Sequence, residues 1–403
     1  RPGKLYYSGN DLGLTFSKKN IQYRIWSPPA QSAVIEIYAD DEGENKLEEY
    51  ELQRSTNDTW KIELPIECYE KYYQLRLEMP RDTYNFVDPW VKAVGSNSDY
   101  GYIVDPKKVH PPSWAQDEKV KLEDPVDAVI YELHVKDFSI SKESGMRNRG
   151  QYSAFAERHS INKEGMLTGI SHLKEMGITH VHLLPVFDFA TAEDEDIESY
   201  NWGYDPLFYN VPEGSYASNP SNDSRIYEFK KMVKTLHSYG IGVIMDVVYN
   251  HTYHTQNSPF QQIFPNYFYR FTEEGYFANA SGCGNELATE RAMMRKYIVD
   301  SLLYWSEEYH IDGFRFDLMS SIDRETMLLA EEKLRDKNSS VLLYGEPWTA
   351  LDPQLADYQQ IHKGDQKGTG ISVFNDNFRS AIKGGNDGVG KGFIQGKIGL
   401  ERQ

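Results

Sequence analysis

The sequence predicts a β-sandwich followed by an α/β barrel, and three observations carry that reading. The first hundred or so residues hold short runs in which apolar and polar side chains alternate. After Pro125 the chain changes to short apolar strands separated by segments with helical periodicity. No glycine-rich dinucleotide fingerprint follows the first of those strands, which favours a (β/α)8 barrel over a doubly wound sheet.

In chain order, IQYRIW (21–26), SAVIEIYA (32–39), WKIEL (60–64) and YQLRLEM (73–79) alternate as half-buried strands do, with turn-rich and acidic segments between them. They predict a sandwich over residues 1–108. Trp26 and Trp60 fall on the alternating positions, so core packing is their expected role. The proline- and charge-rich stretch that ends at Pro125 reads as a linker over 109–125.

From 126 to 403 the strands are AVIYELHV (128–135), THVHLLP (179–185), IGVIMDVVY (241–249), GFRFD (313–317), VLLYG (341–345) and ISVF (371–374), about six of the eight that a closed barrel needs. Between them, Ile226, Phe229, Val233 and Leu236, and again Met294, Ile298, Leu302 and Trp305, repeat at three- and four-residue spacing, so both sets mark helices. An excursion after the third strand, at about 249–284, carries nine aromatic rings between Tyr253 and Phe277, most of them expected to pack on one another rather than bind anything.

Composition narrows the partners. With 43 Lys and Arg against 61 Asp and Glu, a net charge of −18 repels nucleic acid and anionic membranes. A neutral ligand fits better, and 29 Tyr, 18 Phe and 7 Trp supply flat faces on which rings can stack. Cys68 and Cys283 lie in different domains and read as free thiols, with no metal spacing between them. No apolar run is long enough to span a bilayer, so the chain reads as soluble, either cytoplasmic or secreted with a signal already removed. Gly385, Gly390 and Lys391 mimic a phosphate-cradling loop, but Gly392 stands where Ser or Thr is needed, and a helix rather than a strand precedes them.

Barrel enzymes build their sites at the carboxyl ends of strands. There the third strand offers Asp246, Asn250 and His251, the fourth Arg315 and Asp317, and the fifth Glu346. Arg315 and Asp317 share one strand face, either as a satisfied structural ion pair or as the floor of a site. Two acids on adjacent strand ends are what glycoside hydrolysis requires. The neighbouring guanidinium is expected to favour ionised Asp317, the nucleophile candidate. Poor hydration and the Asp317 charge are expected to raise the carboxyl of Glu346, the acid/base candidate.

DVVYNH (246–251), GFRFD and YGEPW (344–348) resemble three signature regions of the α-amylase superfamily. VIYELHVKDFS (129–139) and YNWGYDP (200–206) resemble its type I pullulanase branch, glycoside hydrolase family 13. The resemblance implies that residues 1 to about 110 form an immunoglobulin-like, starch-binding-type module. It implies an α-1,6-glucosidase that cleaves pullulan and related α-glucans with retention, with Asp317 as nucleophile and Glu346 as acid/base. Arg315, His251 and Trp348 would then contact the sugar, with Tyr204 as a stacking wall. Two carboxyl groups about 5 to 5.5 Å apart are expected.

No cofactor is required. The acidic run AEDEDIES (192–199) reads as a solvated loop; calcium is known near such segments in these relatives, but the run shows no calcium-loop spacing, so no metal is assigned. The family's third acid, an aspartate after a histidine at the seventh strand, has no counterpart, since none of the 11 histidines precedes an aspartate. A six-stranded barrel leaves apolar edges, so a longer enzyme is expected, with a second polypeptide fragment completing the barrel and the 403-residue chain poorly active alone. A neopullulanase, a branching enzyme, and a non-catalytic glucan-binding or scaffold protein are the alternatives.

Overall fold

A computed structural model describes residues 5–190, 193–386 and 388–398. Alternation becomes two antiparallel sheets. One contains β1 (Gly13–Phe16) and β2 (Asn20–Trp26); the other contains β3 (Ser32–Tyr38) and β4 (Lys46–Glu51). β5 (Gln53–Arg54) and β6 (Thr59–Pro65) extend the first sheet to the order β1-β2-β6-β5. β7 (Tyr72–Glu78) and β8 (Thr83–Phe86) extend the second to β4-β3-β7-β8, and β9 (Gly101–Tyr102) pairs with β7. The inward residues Tyr23, Ile25, Ile35, Tyr73 and Leu75 are fully buried between the layers, and Trp26 and Trp60 are core as expected.

The apolar runs after Pro125 form one parallel sheet. Its first three strands are β10 (Ile130–Leu133), followed by helix α1 (Val135–Ser139); β11 (His180–Leu183), preceded by α2 (Gly169–Glu175); and, after an antiparallel pair β12 (Phe187–Phe189) and β13 (Pro206–Pro212), β14 (Gly242–Val247). Helix α3 (Ser224–Ser238) precedes β14 and buries Ile226, Phe229, Val233 and Leu236, the stripe that the spacing marks. Then come α4 (Pro259–Ile263), α5 (Ala292–Glu308), β15 (Gly313–Phe316), α6 (Arg324–Lys337), β16 (Leu342–Gly345), β17 (Ser372–Val373) and α7 (Asp376–Lys383). The strand order β10-β11-β14-β15-β16-β17 follows the sequence, as a barrel wall requires. Helix α7 also stands just before Gly385, which disposes of the phosphate-loop reading.

The linker does not stand free of the sheet: Val120 N donates to Asp312 Oδ1 at 2.8 Å, Lys119 to Ser306 at 2.9 Å, and Trp114 stacks on His310 with centroids 3.8 Å apart. Asp117 meets His237 Nδ1 at 2.7 Å, and His237 Nε2 lies 2.6 Å from Asp312. Burial opposes charge on His237, but Asp312 and Asp117 outweigh it and push the imidazole up to about 9. The linker is thus pinned along the base of the sheet. Nor is the acidic run wholly solvated. It begins at Ala192, outside the described residues, but Asp194 is buried against Arg225 at 2.9 Å.

Among the described residues no helix is long and apolar enough to cross a membrane. In the excursion after β14, Phe260, Phe268 and Tyr269 are buried and Phe264, Tyr267, Phe271 and Phe277 pack against the core; Tyr253 and Tyr276 are exposed.

Candidate active site

The parallel register explains the site. Asp246 of β14, Arg315 of β15 and Tyr344 of β16 are direct neighbours across three strands, so their side chains leave one rung of the sheet on the same side. Two residues further along their strands, and therefore on that same side, stand Asp317 and Glu346. The backbone holds them there: Asp317 N donates to Val247 O at 3.0 Å and Glu346 N to Phe316 O at 3.1 Å.

Arg315 binds all three carboxylates. Nη1 donates to Asp246 Oδ1 and to Asp317 Oδ1, both at 2.9 Å, and Nη2 reaches Glu346 Oε1 at 2.8 Å. Asp317 and Glu346 therefore converge on one guanidinium, from adjacent strands. Each has a second fixed partner. Asn250 Nδ2 donates to Asp317 Oδ2 at 2.9 Å. Leu318 N donates to Glu346 Oε2 at 2.8 Å, and Leu318 itself is left-handed (φ 43°, ψ 52°), a conformation non-glycine residues adopt at a cost.

The sequence anticipates an Asp317 kept ionised by Arg315. The structure reverses this: burial, and then the negative Asp246, push its carboxyl up to about 7, and Arg315 offsets only part of the rise. Burial is the larger cause, and beside it one cation is divided among three anions. Arg315 itself is driven upward by Asp246 and Glu346 against the effect of burial.

Tyr204 lines the same space. Its hydroxyl donates to Asp246 Oδ2 at 2.8 Å, and its ring lies 5.9 Å from the Arg315 guanidinium carbon. His251 is placed differently from the expectation. It is almost wholly buried, with Nε2 3.0 Å from Tyr204 O and Nδ1 2.6 Å from Asn250 Oδ1. Burial pushes this imidazole down to about 4, so it is neutral and carries one N–H, which Nε2 donates to Tyr204 O. Trp348 is half-buried in the segment after Glu346, which is anchored to the excursion by Ala350 N and Leu351 N donating to Ala280 O at 3.1 and 3.0 Å.

Four members of this cluster carry no role in the sequence reading: Asp246, Asn250, His182 and Tyr344. His182 Nε2 is 3.0 Å from Asp246 Oδ2 and its Nδ1 is 3.2 Å from Tyr344 Oη. A signal for Tyr344 existed, since it precedes Glu346 by two residues just as Arg315 precedes Asp317. Among the described residues no group of three or more His, Cys, Asp and Glu side chains could hold a metal ion.

Comparison with known proteins agrees with both halves of the chain. Residues 11–91 match the carbohydrate-binding module 48 (isoamylase N-terminal domain) profile, and residues 136–282 match the alpha amylase catalytic domain. A pullulanase of Bacillus subtilis is 38% identical over 94% of this chain and 52% of its own length, and pullulanase 1, chloroplastic, of Arabidopsis thaliana is 32% identical over 98% and 46%. The solved pullulanase from Bacillus acidopullulyticus superposes with a TM-score of 0.96 at 43% identity, covering 98% of this chain and 49% of that one. The pullulanase from Paenibacillus barengoltzii in complex with maltohexaose and alpha-cyclodextrin gives 0.95 at 39%, covering 99% and 62%. The chain spans about half the length of the curated relatives it matches. From the sandwich through the parallel sheet to the strand-end motifs, this chain belongs to the type I pullulanase group of the α-amylase superfamily.

Proposed function

We propose that the chain carries the cleavage centre of a retaining glycoside hydrolase acting on α-1,6 branch linkages of pullulan and related α-glucans. The observation that carries this reading is the convergence of Asp317 and Glu346 on the two terminal nitrogens of Arg315. Ionised Asp317 attacks the anomeric carbon while the Glu346 carboxyl gives its proton to the departing glycosidic oxygen. Forming the glycosyl ester removes the Asp317 charge, and Glu346, its proton given up, is left as a carboxylate. Glu346 then takes a proton from water, the resulting oxygen attacks the anomeric carbon, and Asp317 departs as a carboxylate. Arg315 fixes both acids, Tyr204 walls the sugar, and Trp348 lies at the edge where the aglycone leaves. His251 steadies Tyr204 through Nε2.

Strands β10 and β17 bound the sheet, and Val129 and Ile130 at the β10 edge are 53% and 40% exposed. We propose that further barrel strands pair there in the working enzyme, from the same or a second polypeptide. The test is product analysis with pullulan and the complete enzyme. Maltotriose is expected; panose would instead assign a neopullulanase, new branches a transferase, and binding without turnover a scaffold.

A further inference from the structure

We propose a second binding site for a neutral oligosaccharide in the cleft where the sandwich meets the barrel sheet, a reading that rests on the α-glucan substrate proposed above. The cleft has a volume of about 270 Å³ and takes its walls from both domains: Gln74, Asn85, Asn97 and Asp99 on one side, Leu207, Asn257 and Gln262 on the other. That is near the lower end of the roughly 300–1,000 Å³ of ligand pockets, room for one or two sugar rings.

Its chemistry is unusual for this molecule. In a chain of net charge −18, no Lys or Arg and only one carboxylate, Asp99, line the cleft, while five amide side chains do. An amide both donates and accepts, as a sugar hydroxyl does. Among the described residues the side chains of Asn257, Gln262 and His254 make no hydrogen bond within the protein, although all three face this one space. The opposite wall is held ready. Gln74 Nε2 is tied to Asp99 O at 3.0 Å and Asn85 Nδ2 to Glu36 at 3.1 Å, which leaves their carbonyl oxygens as fixed acceptors. Leu207, Phe208 and Pro259 supply the apolar patch against which the faces of a sugar ring pack. A metal ion, a phosphate or a cation would find no matching set of groups here.

The barrel side of the cleft is continuous with the cleavage centre. Leu207 follows Tyr204 by three residues, Thr252 follows His251 directly, and Tyr253 N donates to Pro206 O at 2.9 Å, so the two segments move together. A glucan held in the cleft therefore bears on the backbone that carries Tyr204 and His251.

The cleft lies wholly within the described residues, and the test is made on the complete enzyme proposed above. Titration calorimetry with maltotriose is run on the wild type, on Asn257→Ala/Gln262→Ala and on Glu346→Gln, with thermal melting to confirm the fold. The paired alanine substitution should weaken one class of binding by about tenfold, the loss of two hydrogen bonds, while Glu346→Gln retains that class. Maltotriose binding that ignores the paired substitution, or no binding outside the Glu346 centre, would overturn the proposal. A complete enzyme that binds at the cleft but leaves pullulan intact keeps this site and removes the debranching reading instead.

Discussion

Two clusters in this chain are built from the same parts, one arginine and three carboxylates, and they end in opposite states. At the rim, Arg315 gathers Asp246, Asp317 and Glu346. Behind it, Arg225 of α3 binds Asp188 at 3.3 Å and Asp194 at 2.9 Å, with the buried Glu213 close enough to act on all three. The Arg225 guanidinium is closed on every side. Its Nε donates to Pro220 O, Nη1 to Pro212 O and Nη2 to Gly95 O, which belongs to the sandwich side. Arg225 and Asp188 each keep 1% of their side-chain surface; Asp317 and Glu346 keep 15% and 17%. Burial raises Asp188 and Glu213 as it raises Asp317. A perturbed carboxyl is thus no sign of function by itself; what separates the clusters is whether a reacting atom can reach it.

The largest difference should appear on removing a proton donor. Glu346→Gln keeps the shape and the Leu318 contact but cannot cycle a proton, so kcat on pullulan should fall by about 10²- to 10⁴-fold with little change in stability. A substrate whose leaving group needs no proton should recover much of the first step. Unchanged turnover would move the donor elsewhere.

Charge removal inverts the ranking. Arg225→Met leaves buried acids with no cation, and breaking such a cluster costs about 3–5 kcal/mol of stability. Arg315→Met strips the rim of its cation too, but there water and protons can enter, so the expected cost is only about 1–2 kcal/mol while activity is lost. Urea melts of the two variants check this, and equal destabilisation would erase the distinction drawn between the clusters.

The rim should also report its pH dependence. In the proposed reaction Asp317 attacks as a carboxylate, so kcat/KM should fall as pH drops below about 7. Its effect on stability has the other sign. The folded chain keeps this proton up to about 7 while the unfolded chain releases it near the ordinary carboxyl value, so between those limits the folded state binds more protons and stability declines as pH rises. Asp317→Asn should flatten that part of the stability profile; an unaltered slope would assign it to Asp188 and Glu213.

The sequence made the strand-end acids legible because they close short apolar runs, and the period of two shows that Arg315 and Asp317 share a face. The sandwich and the parallel strands were readable for the same reason. What it could not show is how many partners each group has. Arg315 beside Asp317 reads as a private pair until the fold buries it and β14 and β16 bring Asp246 and Glu346 to the same guanidinium, and burial together with that division reverses the expected shift on Asp317. Asp194 sits in a run that reads as a solvated loop, and only the fold brings it to Arg225. His251 has the same limit: its motif marks the position, but the two oxygens that occupy its ring nitrogens come from Tyr204 and Asn250.

The smallest effect expected lies furthest from the sugar. Tyr344 Oη stands 3.2 Å from His182 Nδ1, and His182 Nε2 stands 3.0 Å from Asp246 Oδ2. A proton on Nε2 serves the carboxylate and leaves Nδ1 to accept from the tyrosine, so Tyr344 selects the tautomer that supports Asp246. Tyr344→Phe removes that selection, at about 0.5–1.5 kcal/mol for one hydrogen bond, which corresponds to a rate loss of a few-fold. A less well-supported Asp246 presents more charge to Asp317, so the acid limb of kcat/KM should move to higher pH. A purely structural role for Tyr344 would lower the rate and leave that limb where it was; in that outcome the column from Tyr344 to Asp246 would belong with the closed cluster around Arg225 rather than with the open one.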